Sequence, residues 1–211
     1  MTEDWLARWR DGRTGWHEVD GNAALRQYWP DPGSGCRILV PLCGKSPDLL
    51  WLASQGCRVT GVELSEIAIR DFFEESGIPF ECCVVNGQTL FQTKERGITL
   101  VCGDYFEFSD SPFDAIYDRG SLIALPQDVR PQYIEHTNSL LAPNAVKFLI
   151  TLEYDQERVA GPPYAVLPEE VLGYWGELVR IADRNDIDNS PPKFRKAGLT
   201  ELIEAVWVTP Q

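Results

Sequence analysis

The chain has 211 residues, 44% hydrophobic and 24% charged, the balance of one globular domain large enough for a single well-buried core. A formal charge of −13 lacks the clustered Lys/Arg that phosphate backbones and anionic membranes require, so neither nucleic acid nor a membrane is an expected partner. Six cysteines, at 36, 43, 57, 82, 83 and 102, have no zinc-like spacing; they read as reduced structural thiols without a metal, in a cytoplasmic protein whose first residues carry no apolar signal core.

Residues 1–30 are rich in aromatics, and Trp5 and Trp9, four apart, share one face of a short helix. Asn22 is placed to cap a helix running to about Tyr28, and Pro30-Asp31-Pro32-Gly33 breaks the chain after it. An apolar strand, Ile38 to Pro41, enters a tight turn at Cys43-Gly44, and an amphipathic helix over about 48–55 stops at Gly56. A second apolar strand ends in the acid Glu63, after which Ser65 caps a helix over 66–76 that Gly77 closes. Short antiparallel strands are expected around Asn86-Gly87, then a strand from Ile98 to Cys102 followed by Gly103-Asp104. Phe113 to Asp118 is the next strand, Pro126 to Leu141 a helix closed by Pro143-Asn144, and Val146 to Leu152 a buried strand. Gly161-Pro162-Pro163-Tyr164 forms a stiff loop, and Pro168 opens a helix. Val179 to Ala182 and Ala205 to Val208 read as a closing strand pair, joined through a polar surface loop over 185–192. Alternating strands and helices imply an α/β fold, a mostly parallel sheet with helices on both faces and one antiparallel strand near the end.

The segment from Arg37 to Glu63 carries the functional signal. A glycine turn at Gly44 lets the backbone approach a ligand, and an acid about 20 residues beyond the strand accepts both hydroxyls of a ribose. Gly-x-Gly-x-x-Gly is absent, so no pyrophosphate cradle is built, which argues against a dinucleotide oxidoreductase. Gly44-Lys45-Ser46 ends like a P-loop, but the first glycine of that motif would fall at Leu39. A ribose clamp without a phosphate cradle suits a nucleoside ligand such as S-adenosylmethionine, and an acidic field favours that cationic sulfonium. Gly103-Asp104, at another strand end, is placed to reach the adenine; Asp104 as a plain turn cap is the competing reading. His17 reads as a general base or a structural histidine, and His136 as a surface residue on its helix.

Five stretches in order carry a resemblance: Val40-Pro41-Leu42-Cys43-Gly44-Lys45-Ser46, Gly61-Val62-Glu63-Leu64-Ser65, Cys102-Gly103-Asp104, Tyr117-Asp118-Arg119, and Leu152-Glu153-Tyr154-Asp155 with Gly161-Pro162-Pro163. Together they resemble the thiopurine S-methyltransferase family in its bacterial form, from Trp5 to the C-terminus. The resemblance implies a class I, Rossmann-like methyltransferase domain over 1–211, with a seven-stranded sheet and a lid over 1–30. It implies S-adenosylmethionine as cofactor and a thiol acceptor: a thiopurine or related aryl or heterocyclic thiol, or else a small thiol or a selenium or tellurium compound. It places Trp5, Trp9, Leu42, Gly44, Glu63, Leu64, Gly103, Asp104 and Arg119 at the cofactor, and Trp16 and Arg195 at the substrate. Arg119 would act on the acceptor, with Asp118 orienting its guanidinium. A non-catalytic cofactor-binding module would keep Glu63 and Gly103-Asp104 without an acceptor edge. A monomer is expected, since no long exposed apolar helix stands out.

Overall fold

A computed structural model of the chain describes residues 5–15 and 17–210. Two short helices open it, α1 (Trp5–Arg10) and α2 (Ala23–Tyr28), the latter capped as expected: the Asn22 side-chain oxygen accepts from the Ala24 and Leu25 amides. Then follow β1 (Arg37–Pro41), α3 (Asp48–Ser54), β2 (Arg58–Glu63) and α4 (Glu66–Ser76). Ser65 caps α4 and Gly77 ends it in the left-handed conformation.

The sheet has nine strands among the described residues, not seven, in the order β3-β4-β5-β2-β1-β6-β7-β9-β8. The two additional strands are the hairpin β3 (Glu81–Val85) and β4 (Gln88–Gln92), which the sequence signals at Asn86-Gly87. Asn86 and Gly87 both have positive φ, the geometry of a two-residue hairpin turn, and β4 pairs antiparallel with β5 (Ile98–Cys102), extending the sheet beyond it. β1, β2, β5, β6 (Phe113–Arg119) and β7 (Leu141–Glu153) run parallel. At the far edge, β9 (Ile203–Val208) is antiparallel to both β7 and β8 (Val179–Asn185).

The helix before β7 is shorter than expected: α5 spans Arg130–Leu140, and the chain goes directly into β7 at Leu141. Pro143-Asn144 therefore lies within the strand rather than closing a helix. The register with β6 shifts between Phe113↔Leu141 and Ala115↔Val146, as a residue without an N–H requires. After β7 come α6 (Pro168–Tyr174) and α7 (Pro192–Lys196).

Alternation along β1 builds two cores. Ile38 and Val40 face α2, α3 and α4 through Leu25, Leu49, Leu52, Ile69, Phe72 and Phe73. Leu39 faces the side of α5 and α6, with Tyr133, Ile134, Val171 and Trp175. A small third cluster, around Tyr154, Ile187, Phe194 and Leu202, closes the end of the chain. Cys36 and Cys57 are buried with their sulfurs 3.0 Å apart, whereas Cys82 and Cys83 on the edge strand are exposed. Among the described residues no helix is long and apolar enough to cross a membrane, and no group of three His, Cys, Asp or Glu side chains could hold a metal ion.

Candidate active site

The carboxyl ends of β1, β2, β5 and β6 form one edge, where ligands of open parallel sheets bind. The β1–α3 turn reverses sharply there, with positive φ at Leu42 (45°) and Gly44 (54°). Positive φ at a leucine is sparsely populated backbone and marks a turn held by its surroundings. Those surroundings are visible: the Cys43 amide donates to the Val62 carbonyl at 3.1 Å, drawing the turn onto β2. Gly61 makes the approach possible, because a Cβ there would lie 2.6 Å from both Cys43 Sγ and Leu100 Cδ2.

Glu63 is the centre of this edge. Its Oε2 accepts from the Gly44 amide at 2.9 Å and its Oε1 from the Ser65 amide at 2.8 Å. The side chain is buried, and burial raises its pKa above the usual carboxylate value although the Ser65 and Gly44 amides pull the other way. An ionised carboxylate offers about four acceptor positions, so two remain for further hydroxyl donors. Its backbone carbonyl accepts from the Gly103 amide at 3.0 Å, tying β5 to β2 at the same level. Leu64, beside it, is exposed.

Trp9 covers the turn. Its indole is buried, with ring atom Cζ2 3.2 Å from the point where a Cβ on Gly44 would stand. Trp5 is half-buried and packs under the Arg8 guanidinium, which lies 5.3 Å from its ring centre, so the two tryptophans of α1 differ in their surroundings. Trp16 lies outside the described residues. Asp104 is exposed, and its Oδ1 accepts from the Phe106 amide at 2.9 Å, capping the 3-10 turn Tyr105–Glu107. The cap uses one oxygen and leaves the other free.

Arg119 ends β6, two strands from Glu63 and so roughly 10 Å away at sheet spacing. Its Nη2 donates to Glu18 Oε1 at 2.5 Å, and Glu18 Oε2 accepts from the Asn22 side-chain amide at 3.3 Å. Burial would lower the Arg119 pKa, but Glu18, then Tyr117 and Asp48, reverse the direction, so the guanidinium stays charged. Asp118 does not orient it. The Asp118 carboxylate lies on the other side of β6, where Oδ2 accepts from Tyr133 Oη at 2.7 Å and Oδ1 from the Ser121 and Leu122 amides at 3.2 Å each. Successive residues on a strand face opposite ways, and α5 claims Asp118.

Arg195, on α7, donates to the carbonyls of Ile187 (2.5 Å) and Asp188 (2.7 Å), a brace for its own loop, and no bond joins it to Arg119 or Glu63. His17 has its pKa lowered, first by burial and then by Lys45, so the imidazole is neutral at pH 7. His136 is half-buried, not a surface residue, edge-on to Tyr105 with ring centres 5.1 Å apart. Two residues here carry no sequence signal. Glu18 is one acid in a polar loop. Asp48 is read as a helix start, yet it is buried, accepting from the Asn22 amide and from Tyr117 Oη at 2.8 Å each.

Two open clefts, about 440 and 500 Å³, lie toward the opposite, amino ends of the strands, one beside Arg37 and Arg58 and one beside Cys36 and Asp114. Neither is lined by Gly44, Glu63 or Arg119, so the carboxyl edge remains the candidate site.

A family model described as thiopurine S-methyltransferase (TPMT) matches residues 1–211. A thiopurine S-methyltransferase of Pseudomonas putida is 43% identical over 212 aligned residues, covering 96% of both chains. One of Bordetella petrii is 42% identical, covering 97% of this chain and 96% of that one. Among solved structures, the 1,6-didemethyltoxoflavin-N1-methyltransferase of Burkholderia thailandensis with bound S-adenosylhomocysteine is similar in fold, with a TM-score of 0.64, 19% identity, and 98% of this chain and 86% of that chain covered. A TehB-like SAM-dependent methyltransferase from Corynebacterium glutamicum has a TM-score of 0.54 at 18% identity, covering 99% and 98%.

Proposed function

The chain belongs to the thiopurine S-methyltransferase family, S-adenosylmethionine-dependent enzymes, and we propose that its acceptor is an aryl or heterocyclic thiol, thiopurines included, bound as the thiolate beside Arg119. One observation carries the cofactor side of this reading: a buried carboxylate, Glu63, braced by the Gly44 and Ser65 amides with two acceptor positions left over. Those two acceptor positions fit the hydroxyls of a ribose diol. When bound, S-adenosylmethionine supplies an electrophilic methyl group.

The protein's own residues then have few tasks. Glu63 accepts the ribose hydroxyls, and the Leu42–Gly44 turn presents backbone to the ligand. Gly103 and Asp104 stand at the adenine side, Asp104 with the oxygen that its cap leaves free. Residues 1–30 act as a lid, with Trp9 as the part that excludes water from the turn. Arg119, permanently charged, holds the anionic sulfur and favours the deprotonated acceptor. A heteroaryl thiol ionises readily, so no strong base is needed, and alignment with exclusion of water supplies the main acceleration, roughly 7–11 kcal/mol. Asp118 contributes by fixing the turn that follows Arg119.

The test is transfer from labelled cofactor to a panel of aryl thiols, alkyl thiols, selenite and tellurite. Aryl thiols are expected to lead. Arg119→Ala should lower kcat/KM for the aryl thiol strongly and Arg119→Lys less so, since lysine keeps the charge but loses the fork. Preferred transfer to selenite or tellurite would overturn the acceptor assignment, and an Arg119→Ala enzyme with wild-type rates would remove the anion-holding role.

A further inference from the structure

Arg119 is already held by a carboxylate from the N-terminal segment, 101 positions away in sequence. The two halves of that segment behave differently. Its backbone is anchored: the Asn22 amide donates to Asp48 Oδ1 at 2.8 Å, and Asp48 is fixed in turn by Tyr117 of β6. The Glu18 side chain is not anchored in the same way. Apart from Arg119, its carboxylate has, among the described residues, only the Asn22 side-chain amide at 3.3 Å, and it keeps 34% of its surface exposed against 19% for Arg119. The carboxylate can therefore swing into water while the segment stays in place, whereas the guanidinium has less room to leave.

We infer that Glu18 determines which acceptor charge the enzyme accepts: it occupies Arg119 as a built-in anion, and an anionic acceptor binds only by displacing it. This rests on Arg119 being the acceptor-side cation. The physical consequence is a discrimination between ligands of equal shape. An anion must break the Glu18–Arg119 pair before gaining its own, so its apparent affinity is reduced by the strength of that pair. A neutral ligand leaves the pair intact and is not penalised. The negative field of Asp48 and Glu204 also acts on Arg119, so the guanidinium is not left uncompensated when Glu18 moves away.

The experiment uses unreactive ligands, so that binding is read apart from chemistry. Benzenesulfonate and benzenesulfonamide are titrated calorimetrically into the full-length protein saturated with S-adenosylhomocysteine, for wild type, Glu18→Gln and Arg119→Ala, each first checked for a cooperative thermal transition. Glu18→Gln keeps the shape and an acceptor oxygen but removes the competing charge. It should tighten benzenesulfonate on the order of ten-fold and leave benzenesulfonamide and S-adenosylhomocysteine unchanged. With an aryl thiolate as substrate, the same variant should lower KM with little change in kcat. Equal shifts for both ligands, no shift, or weaker benzenesulfonate binding would overturn the inference, the last identifying Glu18 as a strut that positions Arg119. Arg119→Ala separates the two readings. If it abolishes benzenesulfonate binding while Glu18→Gln changes nothing, this inference alone fails; if it affects neither ligand, the acceptor role of Arg119 fails as well.

Discussion

Replacing Glu63 by alanine tests the centre of the site with two separable readouts. In the free protein the change removes the acceptor for two buried amides, Gly44 and Ser65. An unsatisfied buried donor costs about 1–3 kcal/mol, while relief of a carboxylate whose pKa is raised by burial offsets part of that, leaving a net loss of about 2–4 kcal/mol. At roughly 2–4 °C per kcal/mol for a chain of this size, the melting temperature should fall by about 4–16 °C. In the complex the variant also loses the two remaining acceptor positions, charge-assisted bonds with a net value of roughly 1.5–3 kcal/mol, or about 10- to 150-fold in affinity. Calorimetric titration with S-adenosylhomocysteine, run below the variant's melting transition, reads the second effect free of the first. The pH dependence has opposite signs in the two readouts. The folded state favours protonated Glu63, so this group's contribution to stability declines as pH rises from 4.5 through the raised folded value. Ribose binding needs the carboxylate, so affinity should instead fall with acidification, beginning above pH 4.5. A folded Glu63→Ala protein with an unchanged dissociation constant would refute the assignment.

Gly61→Ala should cost about 1–3 kcal/mol in urea denaturation and weaken S-adenosylhomocysteine, because the new Cβ meets Cys43 Sγ at 2.6 Å and pushes the turn off β2; a stable variant would show that the turn adapts. Asp118→Ala strands the Tyr133 hydroxyl and two amides and should lose on the order of 3 kcal/mol or more, whereas Asp118→Asn, which keeps an acceptor, should lose less and retain wild-type kcat. A large kcat loss in a stable Asn variant would return Asp118 to the chemistry. His17 should titrate below 6.5 in the folded protein by NMR; since the unfolded chain takes up that proton first, its contribution to stability should fall as pH drops from 6.5 through the folded value. A midpoint at or above 6.5 would mean that the Glu75 and Glu18 charges outweigh burial and Lys45.

What the sequence determined by itself is local in origin. Asn22 and Ser65 cap their helices, Gly77 ends one, Asn86-Gly87 turns a hairpin, and apolar runs bounded by such signals become β1, β2 and β5, because each feature is decided within a few residues. Glu63 was legible for the same reason: an acid ending a buried strand must find donors, and the nearest are the amides of the adjoining turns. Tertiary structure decided the rest. Leu141 opens β7 instead of ending α5, and Pro143-Asn144 lies in that strand instead of closing the helix, because Leu141 pairs with Phe113 across the sheet. The two-residue period of a strand already sends Asp118 and Arg119 to opposite faces, but only the packing of α5 supplies Tyr133 to one, and only the return of the N-terminal segment over the sheet edge supplies Glu18 to the other. Partners that far apart in sequence share no pattern in the chain. Their meeting depends on where the fold returns the backbone, and that is decided by the burial of both sheet faces together.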